Sequence, residues 1–156
     1  MSKVENIISK LVCNNLINQH SLIGCSTHEV EELESFLGYT LPFEYKEFLR
    51  ILGKGAGSLF QGTDIYYPRV LELKSEAEEL ISEMNLNKHL PDNAFVFCMH
   101  QGYECNYFLI GEPDPTIFQF YEGQENQRID NKAYDSFSQF IAENIKSHLS
   151  IRHDLN

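Results

Sequence analysis

The chain has no tryptophan, and its four cysteines include no C-x-x-C pair. Cys13, Cys25, Cys98 and Cys105 therefore offer neither a redox dithiol nor a regular disulfide framework. A chain of 156 residues buries roughly 70% of the surface its unfolded form exposes, so it needs no covalent staple. The thiols read as reduced, and a cytoplasmic location is expected. No apolar run approaches the ~18 residues of a spanning helix, so no membrane contact is expected. The opening Met1-Ser2-Lys3-Val4-Glu5 carries charges where the apolar stretch of a secretory signal would lie. Cations are scarce: Lys and Arg total 12 against 23 Asp and Glu, a formal net charge of −11. Such a surface repels phosphate backbones, which argues against nucleic acid as a partner. It suits encounter with a basic protein, although solubility alone also accounts for it.

Catalytic motifs are missing too. There is no G-x-S-x-G elbow, no H-E-x-x-H and no H-x-E…C-x-x-C pattern. Gly53-Lys54-Gly55-Ala56-Gly57-Ser58 lacks the P-loop spacing, and it follows a predicted helix instead of opening one. Glycines that let the chain reverse and start a sheet explain it better. Cys98-Met99-His100 with Cys105 has the most metal-like spacing, but no second Cys/His pair supplies a fourth ligand. Read as nucleophile and base, Cys105 and His100 lack an orienting third group. A buried Cys on a core strand and a His at its end is the plainer reading. Glu29, Glu31, Glu32 and Glu34 read as a solvated helix face. No metal or cofactor is expected.

What is present is core material: 42% hydrophobic residues, with 11 Phe and 8 Tyr. Val4, Ile7, Ile8 and Leu11 have helical spacing. Ser26-Thr27-His28-Glu29 has capping-box form and predicts a helix burying Val30, Leu33 and Leu37 and closing at Gly38. Pro42 opens a third helix carrying Tyr45, Phe48, Leu49 and Leu52, which Gly53 ends. Ser58–Gln61 and Ile65–Leu71 read as strands, and Ser75-Glu76-Ala77-Glu78 as a second capping box. Ala94–Met99, Asn106–Ile110 and Thr116–Tyr121 predict an antiparallel meander whose strands are covered on both faces, or nearly so. A final helix carries Phe137, Phe140, Ile141 and Ile145. The expected fold is α+β, a mostly antiparallel sheet packed with helices in one domain over 1–156. Residues 1–25 form an N-terminal helical extension of the core, and 150–156 a frayed tail.

From His89 through Gln127 there is no Lys or Arg, while Asp92, Glu104, Glu112, Asp114, Glu122 and Glu125 all fall there. The candidate protein-binding residues are Tyr103, Glu104, Glu112, Asp114, Tyr121, Glu122 and Glu125, aromatics rimmed by charge in turns and strand ends. Charge that keeps sheet edges from pairing with other chains explains the same pattern equally well.

Glu34-Ser35-Phe36-Leu37-Gly38-Tyr39-Thr40-Leu41-Pro42-Phe43-Glu44-Tyr45-Lys46-Glu47-Phe48-Leu49 resembles the E-x-x-L-G-x-x-L-P-x-x-Y-x-x-F-L signature of the SUKH superfamily, which includes the bacterial Smi/Knr-like immunity proteins. Tyr134-Asp135-Ser136-Phe137-Ser138-Gln139-Phe140-Ile141 is similar to the closing helix of that family. Phe95-Val96-Phe97, the turn at Gln101-Gly102-Tyr103 and Tyr107-Phe108-Leu109 look like its central sheet. The resemblance spans about Ser26 to Ile145. The chain departs from the family at Gly53-Lys54-Gly55-Ala56-Gly57, where Asn-Gly or Gly-Gly is usual.

The resemblance implies a non-enzymatic immunity protein. It would bind and neutralise a cognate toxin of a polymorphic or contact-dependent system, such as a basic nuclease domain. A regulatory or scaffold module of the same fold is the alternative, and a small metal- or thiol-dependent enzyme the lesser one. The oligomeric state is left open.

Overall fold

Helix α1 (Lys3–Cys13) begins at Ser2, whose side chain accepts the Glu5 N–H at 2.9 Å, and it buries Val4 and Ile8. The computed structural model describes the backbone of residues 1–155 and the side chains of residues 1–150. The tail expected to fray over 150–156 lies outside the described side chains from residue 151 onward, while its backbone is helical to Leu155. A short strand β1 (Leu22–Ile23) leads to α2 (Thr27–Leu37). Both halves of the Ser26/Glu29 capping box form, and Gly38 closes the helix in the left-handed conformation at φ 79°. Next come α3 (Phe43–Leu52), β2 (Gly55–Ala56) and β3 (Thr63–Asp64). The glycines after α3 do reverse the chain, since β2 pairs antiparallel with β1. Gly24 is obligatory there, because a Cβ would stand 1.8 Å from the Arg50 carbonyl oxygen.

Two strand expectations in this region are overturned. Ser58–Gln61 is a run of turns, with Phe60 at positive φ, and only Thr63–Asp64 pairs with the sheet. Ile65–Leu71 runs into a 3-10 turn, Arg69–Glu72, that feeds directly into α4 (Leu73–Glu83). Pro68, lacking an N–H, sits where a strand would need a donor. The second capping box is absent as well. Ser75 lies inside the helix, and Glu78, the carboxylate such a box would use, accepts the Leu90 N–H at 3.1 Å instead of turning back to a helix end. The helix starts at Leu73 without a side-chain cap.

The meander forms as expected from β4 (Ala94–His100), β5 (Glu104–Leu109) and β6 (Ile117–Tyr121). A further strand, β7 (Asn131–Tyr134), was not anticipated, and α5 (Phe137–Leu155) completes the order. The main sheet runs β3-β4-β5-β6-β7, antiparallel throughout. This is the expected α+β architecture. One sheet face meets α3 and α5, and the other meets α4. Every residue of Ala94–Met99 is therefore buried, as strands covered on both faces require.

The aromatic centre lies between α3, α5 and the sheet. Tyr45 packs against Phe95, Phe108 and Phe137 with ring centroids 5.2 to 5.4 Å apart. Its hydroxyl is buried without a hydrogen-bond partner among the described residues. Burying a hydroxyl without a partner is costly. Tyr45→Phe is therefore expected to raise stability by about 1 kcal/mol. Urea denaturation checks this, and a loss of similar size would show that the hydroxyl is bonded after all.

Glu44, next in the chain, is buried at 4% exposure. Its Oε1 and Oε2 accept the N–H groups of Lys3 and Val4, each at 3.0 Å. A carboxylate from α3 thus satisfies end amides of α1 and faces the positive pole of its dipole. This contact joins the segment preceding Ser26 to the motif helix.

Candidate functional site

Two turns meet at one end of the main sheet. The β4–β5 turn places Gln101 and Gly102 at φ 50° and 76°, a left-handed pair that reverses the strand tightly. Register sets Glu104 opposite Tyr121, and the Glu122 N–H donates to the Tyr103 carbonyl at 2.9 Å. Tyr103, Glu104, Tyr121 and Glu122 are thereby held together. Tyr103 and Tyr121 remain 40% and 44% exposed. Glu125 is exposed in the connection that follows.

The other two candidates lie elsewhere. Glu112 and Asp114 fall in the β5–β6 turn, past the far end of β5 and separated from Glu104 by about 17 Å of strand. Asp114 is also engaged. Its Oδ1 accepts the Ser138 N–H at 2.9 Å, its Oδ2 accepts the Ser138 hydroxyl at 2.6 Å, and Lys3 Nζ approaches to 3.4 Å. Ser136 accepts the Gln139 N–H at 3.1 Å beside it, so two residues share the cap of α5. Asp114→Ala is expected to cost about 1.5 kcal/mol, which lowers Tm by roughly 3–6 °C. A melting curve matching the parent would remove this capping role.

Beneath the exposed end the sheet turns polar. A bulge between Val96 and Cys98 shifts the register, so Cys98 pairs with Asn106 and His100 with Glu104. All four line one small cavity together with Phe140 and Asn144 of α5. Asn106 is 1% exposed and accepts from Gln119 Nε2 at 2.9 Å. Glu104 Oε1 accepts from Asn106 and Gln119, each at 3.3 Å. His100 Nδ1 shares a hydrogen bond with the Thr63 hydroxyl at 3.0 Å. Thr63, Asn106, Gln119 and Asn144 were not foreseen as site residues. The available signal was polar residues, Asn106 and Gln119, inside otherwise apolar strands.

Cys105 does not join this group. It pairs with Met99, whose side of the sheet faces α4, while Cys98 and His100 face α5. Burial pushes both thiols well up, with the Glu104 charge adding to the effect at each. They stay protonated at neutral pH and are poor nucleophiles. Among the described residues, no group of three His, Cys, Asp or Glu is placed to hold a metal ion. The α2 carboxylates are partly structural as well. Glu29 completes the capping box, and Glu34 Oε2 accepts the Leu41 N–H at 2.7 Å.

Among the described residues no helix is long and apolar enough to cross a membrane. No curated protein matches the chain. A model of the SMI1 / KNR4 family (SUKH-1) matches residues 24–143. That span holds the Leu41-Pro42 helix start, the Tyr45 centre, the meander and the Ser136-Phe137 entry into α5. The family is known for immunity-type members and is generally non-catalytic. A match across the whole helix–sheet–helix core means that the chain belongs to the SMI1 / KNR4 family (SUKH-1).

Proposed function

We propose that this protein is a non-enzymatic immunity protein that binds a cognate toxin and neutralises it stoichiometrically. Family membership supports the class. The observation that carries the choice of surface is the sheet end, where two exposed tyrosines stand among Glu104, Glu122 and Glu125 with no cation between His89 and Gln127. Large aromatic rings supply contact area at small entropic cost, and the carboxylates steer a basic partner into place. The toxin is accordingly a basic protein domain, and a nuclease fits that description. The protein acts in the cytoplasm of the cell it protects.

Co-expression with the toxin-like product of the neighbouring reading frame tests the reading. A complex and restored growth are expected; neither appearing would overturn it. Within such a complex, the double change Glu122→Lys and Glu125→Lys is expected to slow association about tenfold or more at low salt. Stopped-flow kinetics across a salt series measures this. An unchanged rate and salt slope would place the interface elsewhere.

A further inference from the structure

The cavity under the sheet end has a volume of 220 Å³, lined among others by Phe60, Thr63, His100, Glu104, Asn106 and Tyr134. This is below the ~300 Å³ at which pockets for whole small molecules begin, and suits the end of one side chain. Its chemistry is lopsided. Glu104 is half-buried, and only neutral amides reach it, both at Oε1. Among the described residues Glu104 makes no ion pair, and the cations of the flanking strands and turn are committed. Arg69 is held by Asp64, Glu72 and Glu76, and Lys132 by Asp135. A half-buried carboxylate without a counter-charge is costly, and the cost falls when a cation arrives. The walls add a second preference. Tyr134 and Phe140 stand edge to face at 5.3 Å, and the His100 ring, which also lines the cavity, meets exposed Tyr103 at 5.7 Å.

We propose that this cavity receives the guanidinium of an arginine from the partner protein, with Glu104 Oε2 as its acceptor and the aromatic rings as its walls. The proposal rests on the immunity reading for the source of the arginine. A guanidinium is planar, always charged and weakly hydrated, and it stacks on rings while its N–H groups pair with a carboxylate. An ammonium supplies charge without the planar fork. The Thr63 hydroxyl, the Asn106 amide and His100 are further polar groups within the same walls. The amides that hold Oε1 fix the carboxylate before the partner arrives, so little ordering is left to the encounter.

The test uses the full chain, 15N-labelled, and N-acetyl-arginine amide as probe. The expected result is a saturable shift of the Asn106, Gln119 and Asn144 side-chain amide signals, with a dissociation constant on the order of millimolar. N-acetyl-citrulline amide, which has the same shape without the charge, is expected to bind at least about tenfold more weakly. Glu104→Gln is expected to weaken the arginine probe to the same extent, with the rest of the spectrum confirming an intact fold. No saturable shift, an equal response to citrulline, or an unchanged response in Glu104→Gln would overturn the proposal. Toxin protection without an arginine response sinks the cavity inference and leaves the immunity reading. An arginine response without any toxin complex does the reverse.

Discussion

Phe137→Ala is expected to lower the unfolding free energy by about 4 kcal/mol and Tm by roughly 8–16 °C. Phe137 is fully buried and meets five other rings. Tyr45 and Phe97 stand edge-on at 5.4 and 5.3 Å, and Phe48, Phe108 and Phe140 surround them. Removing the ring leaves a void between α3, α5 and the sheet, three elements that cannot all close on it at once. The cost is therefore transfer free energy plus cavity, at the upper part of the usual range. Equilibrium urea denaturation with an unchanged slope measures it. A loss under about 1.5 kcal/mol would mean the helices repack freely and that this centre does not fix their spacing.

The second large effect is at Glu44. Glu44→Ala is expected to cost about 3 kcal/mol, because two hydrogen bonds to a charged acceptor vanish and the buried Val4 amide loses its partner. Glu44→Gln, with one acceptor oxygen and a donor aimed at a donor, is expected to recover less than half of that. Amide exchange separates the two possible origins. If the carboxylate acts through α1, then Lys3 and Val4 exchange faster before global unfolding begins. Parent-like stability in both variants would show that α1 is held by Val4 and Ile8 packing alone.

These two sites also show where the chain could be read in advance and where it could not. The Leu41-Pro42 helix start and the Tyr45, Phe48, Leu49 stripe are local patterns, and the structure places them as the pattern implies. The same holds for Ser26/Glu29 and for the meander, whose strands are joined by short turns. Nothing in the local pattern marks Glu44, a carboxylate on an amphipathic helix, for burial. Its burial depends on α1 returning from forty residues earlier, which no local window contains. Asp114 is similar, since only the tertiary fold brings it beside Ser138. The Ile65–Leu71 segment misled because its aromatic and branched residues suit a strand, while Pro68 and the Arg69–Glu76 pairing impose a turn. At the sheet end, the clustering of Tyr103, Glu104, Tyr121 and Glu122 follows from the hairpin register and was within reach. The cavity was not, because it needs a bulge, and an extra residue in one strand leaves no mark in a pattern of apolar residues.

The bulge between Val96 and Cys98 has a consequence beyond geometry. Along one face of a single strand it divides a hydrocarbon half, Phe95 and Phe97, from a hydrogen-bonding half, Cys98 and His100. The first half packs wholly in the aromatic centre, and the second, from buried Cys98 to His100, lines the cavity and leads to the exposed turn. Substitutions in the two halves are then expected to be nearly independent in their effects on stability and on partner choice. On the proposed immunity reading, a lineage that meets a changed antagonist varies the distal half while the proximal half keeps the protein folded. One inserted residue thus separates what must stay constant from what is free to diversify.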